Sequence, residues 1–199
     1  MCSSDLGEVA GRDVGVECQG LFSELLDIRN RAGDVPFPQG AAPDHTYLTR
    51  ATCRALKRFR TRSTHPDVDC LLTIDWRSFS ALRDGANPCV QRGWSAAQAI
   101  NTLTHESIHL RGFMDEAQTQ CYAIQTDAWT VERLGGTAAE GVAVAGLLFA
   151  SQPLLPTEYQ SSACHAGGSL DLHPESPGFP TETPPTSPPA GLYGPAVRR

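Results

Sequence analysis

Three side chains within one short stretch carry the most direct chemistry: His105, Glu106 and His109, in Thr104-His105-Glu106-Ser107-Ile108-His109-Leu110. On a helix, at about 100° per residue, histidines four apart lie one turn up the same face, with roughly 6 Å between their side-chain roots. Two imidazoles so placed can converge on one tetrahedral zinc at about 2.0–2.1 Å. Glu106 stands beside the pair, where it can reach water on the metal without being a ligand. That is the His-Glu-x-x-His arrangement of zinc hydrolases, in which the metal acidifies water and the carboxylate serves as general base.

Such a pair works only if a helix presents it. Ser95 followed by Gln98 has the form of a capping box and predicts a helix opening just after Gly93-Trp94. Ala96, Ile100, Leu103 and Leu110 supply its apolar positions. Gly112 is placed to stop it in a left-handed turn, with Phe113 folding back on Ile108.

A zinc site needs a third protein ligand, and two carboxylates follow the turn, Asp115 and Glu116. Asp115 with Gln118 three residues on has the form of a helix start, which commits the Asp115 carboxylate to backbone N–H groups. Glu116 then falls in the first turn, where the helix N-terminus favours an ionised carboxylate. The expected ligand set is His105, His109 and Glu116, with Asp115 as the alternative third ligand.

The run from His105 to Asp115 reads His-Glu-x-x-His-x-x-Gly-x-x-Asp, which is similar to the metzincin pattern with Asp in place of the third His. The only methionines, Met1 and Met114, do not supply the downstream methionine turn of that group. A Glu on a second helix is instead the gluzincin arrangement. Over residues 94–135 the chain more narrowly resembles a family of small actinobacterial zinc metallopeptidases with a zincin-like core, whose signature is this helix–turn–helix. The resemblance implies a zinc metallopeptidase and names no substrate.

Composition bounds the rest. The 199 residues end in a proline-rich stretch, so one domain is expected over 14–172, with a flexible segment at 1–13 and a disordered tail at 173–199. A net charge of −6 argues against nucleic acid as a partner, and the absence of any run of 18 apolar residues argues against a transmembrane helix. The expected partner is a peptide or protein substrate, and a monomer is expected. Seven cysteines without a Cys-x-x-Cys pair suggest up to three disulfides, with Cys2 left over, and hence an extracytoplasmic or secreted protein. The N-terminal residues carry no visible signal peptide.

Around the site, apolar spacing predicts helices over residues 14–32, 46–61 and 116–134. Thr137 with Glu140 forms a second capping box, opening an apolar helix that runs to about Ala150. Residues 67–76 read as the best strand, and the basic run from Arg54 to Arg62 reads as a solvated helix face. Gln120 or Asp127 can orient a ligand imidazole, although Asp127 reads first as a solvent-facing helix residue. Tyr159 and His165 are the candidates for stabilising a transition-state oxyanion, set against an ordinary surface loop held by Cys164. The expected fold is therefore mainly α, a zincin-like metal-binding helix pair with a minimal β element. The expected function is zinc-dependent peptide hydrolysis with Glu106 as base. The alternative is a non-catalytic metal-binding or protein-interaction domain on the same scaffold.

Overall fold

A computed structural model describes residues 15–18, 45–61, 70, 88–110 and 113–180. Within them the fold is mainly helical. The strands β1 (Gly15–Cys18) and β2 (His45–Leu48) pair in parallel, with Gly15 opposite His45 and Cys18 opposite Leu48. Four helices follow: α1 (Arg50–Thr61), α2 (Pro88–His109), α3 (Glu116–Arg133) and α4 (Ala138–Ser151). Two short 3-10 turns, Gln152–Leu154 and Thr157–Tyr159, lead into an irregular segment that reaches Pro180.

The helix α1 opens where Thr49 Oγ1 accepts a hydrogen bond from Thr52 N at 3.1 Å. Its Ala55, Leu56 and Phe59 are buried, while Arg54, Lys57 and Arg58 are exposed, so the basic run is a solvent-facing stripe. The helix expected over residues 46–61 thus begins later, its first residues being taken by β2. Of the helix expected over 14–32, only Gly15–Cys18 is described, and it is a strand. Val and Cys there fit an extended, paired backbone as well as they fit a helix stripe. The strand expected over 67–76 lies outside the described residues except for Cys70, which is helical.

The helix α2, which carries His105 and His109, starts at Pro88, seven residues before the predicted Ser95, which is exposed in mid-helix and caps nothing. Proline suits the first helical position because its missing N–H would have no partner there. One turn into α2 sit Gly93, Ala96, Ala97 and Ala99, all buried, small enough to let neighbouring chain approach closely. Ile100, Leu103, Ile124, Val144 and Leu147 form the centre of the core between α2, α3 and α4. Each such side chain, fully buried, contributes roughly 1.5–3 kcal/mol.

The innermost helix is α3: from Thr119 to Val131 only Tyr122 keeps appreciable exposure. Gly135, at φ +87°, turns the chain out of α3 in the left-handed region that glycine alone adopts without strain. The capping box predicted for α4 is formed, with Glu140 N donating to Thr137 Oγ1 at 3.3 Å and Thr137 N to Glu140 Oε2 at 2.6 Å. Close packing of α4 on α3 depends on Gly141, where a Cβ would lie 2.9 Å from the backbone oxygen of Ala128.

Disulfides fasten the periphery. Cys70 is bonded to Cys89 at the start of α2, Cys121 of α3 to Cys164 beyond the 3-10 turns, and Cys53 is disulfide-bonded as well. These bonds fit an oxidising compartment. Gln125 holds the same returning segment a second way, donating to Leu170 O at 2.8 Å and accepting from Leu172 N at 2.7 Å. Of the tail expected to be disordered from His173, residues 173–180 are described: Phe179 packs edge-on against Phe149 of α4 at 5.0 Å and Pro180 is buried. Residues 1–13 and 181–199 lie outside the described residues. No described helix is long and apolar enough to cross a membrane.

Candidate metal centre

At the C-terminal end of α2, His105 and His109 stand edge-to-face with ring centroids 4.6 Å apart. Glu116, the first residue of α3, faces both. Its Oε2 lies 3.0 Å from His105 Nε2 and 3.3 Å from His109 Nε2. What brings it there is the cap: Asp115 Oδ1 accepts from Gln118 N at 2.8 Å, which starts α3 and spends the Asp115 carboxylate. Gly112 lies outside the described residues, and Phe113, expected to fold back on Ile108, packs instead against Tyr122 at 5.4 Å.

The outer nitrogen of each imidazole is held. His109 Nδ1 donates to the backbone oxygen of Phe113 at 2.6 Å, and Thr119 Oγ1 donates to the same oxygen at 3.3 Å. A carbonyl only accepts, so His109 carries its hydrogen on Nδ1 and turns the Nε2 lone pair toward Glu116. His105 Nδ1 meets Gln120 Oε1 at 2.9 Å, an acceptor again. With the rings neutral, two imidazole lone pairs and a carboxylate oxygen converge, all within 4.8 Å of one another. Three acceptors pointed at one spot repel unless a cation joins them, so His105, His109 and Glu116 form a group that can hold a metal ion. Burial, then the neighbouring His109, push the His105 pKa down against the pull of Glu106, Glu116 and Gln120, which keeps the ring in the neutral form that ligates.

A second layer lies behind His105. Gln120 Nε2 donates to Asn101 Oδ1 at 2.9 Å, and Asn101 Nδ2 donates to Asp127 Oδ2 at 2.9 Å. Asp127 is fully buried, not the solvent-facing residue its helical position suggested, because α3 packs against both α2 and α4. Burial pushes its carboxyl up to about 8, opposed by the Asn101 amide and the nearby Thr104 hydroxyl. Asn101 was not singled out from the sequence. Its signal was available: it lies four residues before His105, on the same helix face.

The centre opens on a cleft of about 240 Å³ between α2, the end of α4 and the 3-10 turns. Glu106 and Tyr159 line it beside His105, and Trp94, Leu148, Leu155 and Pro156 supply its apolar wall. Tyr159 thus belongs to the site rather than to a remote surface loop, its ring 5.8 Å from that of His105. Partial burial and the carboxylates of Glu116, Glu158 and Glu106 raise its pKa, so the phenol stays a donor. His165 does not join: it is exposed, its Nδ1 donates to Ala166 O at 2.9 Å, and it is absent from the cleft lining. No protein-family model, curated protein or solved structure matches this chain.

Proposed function

We propose that the chain is a zinc-dependent hydrolase acting on peptide bonds, a zincin-like metallopeptidase with the metal on His105, His109 and Glu116. The observation that carries this reading is that a carboxylate outside the ligand group, Glu106, lines the same cleft as His105. A site that only bound metal would need no such group. Two imidazoles and one carboxylate favour zinc over the hard, oxygen-seeking cations.

Bound there, zinc supplies Lewis-acid charge and lowers the pKa of water to about 7. The residues do the rest. Glu106 accepts the proton from the attacking water and returns it to the leaving amine. Tyr159, kept protonated, donates to the oxyanion that forms on the scissile carbonyl. Phe113 O and Gln120 hold the two imidazoles in orientation throughout. The apolar wall excludes water and receives a peptide side chain.

The other reading is a metal-binding domain without catalysis. It is favoured by the cleft lining, which is made of helices and turns and includes no described strand against which a peptide could pair. Glu106→Gln separates the two. It keeps the shape but cannot accept the proton, so hydrolysis of a peptide library should fall at least roughly a hundredfold while metal stays bound. Chelator-sensitive hydrolysis left untouched by Glu106→Gln sinks the mechanism, and absence of hydrolysis with metal bound favours the second reading.

A further inference from the structure

We propose that Asp127 is a positioning residue of the metal centre, acting through Asn101 and Gln120 to decide which ring nitrogen of His105 carries the hydrogen. Four side chains stand in line from α3 to α2, back to α3 and again to α2: Asp127, Asn101, Gln120 and His105, each joined to the next at 2.9 Å. All four are buried. The direction of every bond follows from the Asp127 end. Asp127 Oδ2 accepts when the carboxyl is ionised or carries its proton on Oδ1, and Asn101 Nδ2 donates to it, which turns the Asn101 oxygen to Gln120. Gln120 must then offer its NH₂ to Asn101 and its oxygen to His105, and His105 must answer with Nδ1–H. That leaves the Nε2 lone pair aimed at the ligand position beside His109 and Glu116.

No link turns over alone. A flipped Asn101 would set its NH₂ against the Gln120 NH₂, two facing donors among buried side chains. Turning the whole chain over needs a proton on Asp127 Oδ2 to donate to Asn101, and it would present Gln120 NH₂ to Nδ1 and move the His105 hydrogen to Nε2, where it would block the ligand position. As plain core filling Asp127 is a poor side chain: it is fully buried, and its Oδ1 has no hydrogen-bond partner among the described residues. Its use lies in the acceptor it presents to Asn101.

The consequence for metal affinity rests on the metal-centre reading, and the tautomer does not. Both are measurable on the full chain. In a Glu116→Ala background, which removes the competing carboxylate and needs no metal, long-range ¹H–¹⁵N correlation at neutral pH should show His105 as a single Nδ1–H tautomer. Asp127→Asn keeps a carbonyl acceptor for Asn101 and should preserve that tautomer. Asp127→Leu removes the acceptor and should give a mixture. With Glu116 restored, zinc competition against a chromophoric chelator should show Asp127→Leu weakened roughly 10- to 100-fold, the range for lost outer partners, and Asp127→Asn within about threefold of the wild type. Should Asp127→Leu fail to fold, Asn101→Leu breaks the same line and should give the same mixture. A single Nδ1–H tautomer in both leucine variants overturns the proposal, as does an Asp127→Asn variant as disturbed as Asp127→Leu. A wild-type chain that binds no zinc overturns the metal reading, while the tautomer measurement still decides this one.

Discussion

Asp115 and Glu116 are adjacent acidic residues with divided tasks: Asp115 Oδ1 caps α3 through Gln118 N at 2.8 Å, and Glu116 Oε2 turns back to the two histidines at 3.0 and 3.3 Å. The division separates their mutants. Asp115→Ala should lower stability by about 1 kcal/mol and leave most metal binding in place. Glu116→Ala should remove stoichiometric zinc with little loss of stability in chelator, and His105→Ala or His109→Ala should do the same. Metal analysis beside urea titration checks both. Zinc lost from Asp115→Ala but kept in Glu116→Ala would reverse the assignment.

Tyr159 is tied into the cleft from two sides, by the 3-10 turn that carries it and by the Cys121–Cys164 bond that draws the following segment onto α3. Tyr159→Phe keeps the ring and deletes the donor. With a peptide substrate in hand, kcat should fall about a hundredfold and KM should change little, since an oxyanion donor acts on the transition state. A change confined to KM would make Tyr159 a binding residue instead.

Asp127 also writes itself into the pH dependence of stability. Burial pushes its carboxyl up to about 8, against an ordinary value of 3.8. The folded chain then holds a proton that the unfolded chain has released, so this contribution is full below pH 3.8 and is lost as pH rises through about 8. In chelator, wild-type stability should decline relative to Asp127→Asn across that window, at up to about 1.4 kcal/mol per pH unit. Urea midpoints of the two proteins at several pH values test this. A difference that stays constant from pH 4 to 8 would mean Asp127 is ionised throughout.

Gly141 faces backbone, not a side chain that could move aside: a Cβ there would stand 2.9 Å from Ala128 O and 3.0 Å from Ala128 Cα. Alanine gains up to about 1 kcal/mol in helix propensity. Forcing α4 away from α3 should cost about 1–3 kcal/mol, so Gly141→Ala should lower the melting temperature. A raised melting temperature would show that the helices can separate without loss.

Local chemistry was legible in the chain itself. The four-residue step from His105 to His109, the Asp115-x-x-Gln118 start of α3 and the Thr137–Glu140 box ahead of α4 are short-range patterns, settled by helix geometry and by hydrogen bonds within one turn. For the same reason Glu116 could be preferred to Asp115 before any fold was known. The start of α2 was misplaced because Ser95 and Gln98 mimic a cap, while burial of Ala96 and Ala97 between neighbours keeps the helix running back to Pro88. What only the tertiary structure decided depends on contacts between distant segments. Asp127 reads as surface on a helical wheel, and it is buried because α3 packs against both α2 and α4. Asn101 acquires its role only when α3 brings Gln120 and Asp127 to it, 19 and 26 residues away along the chain. Tyr159 and His165 were equal as loop residues. The path of the chain after α4 places one in the cleft and the other in solvent.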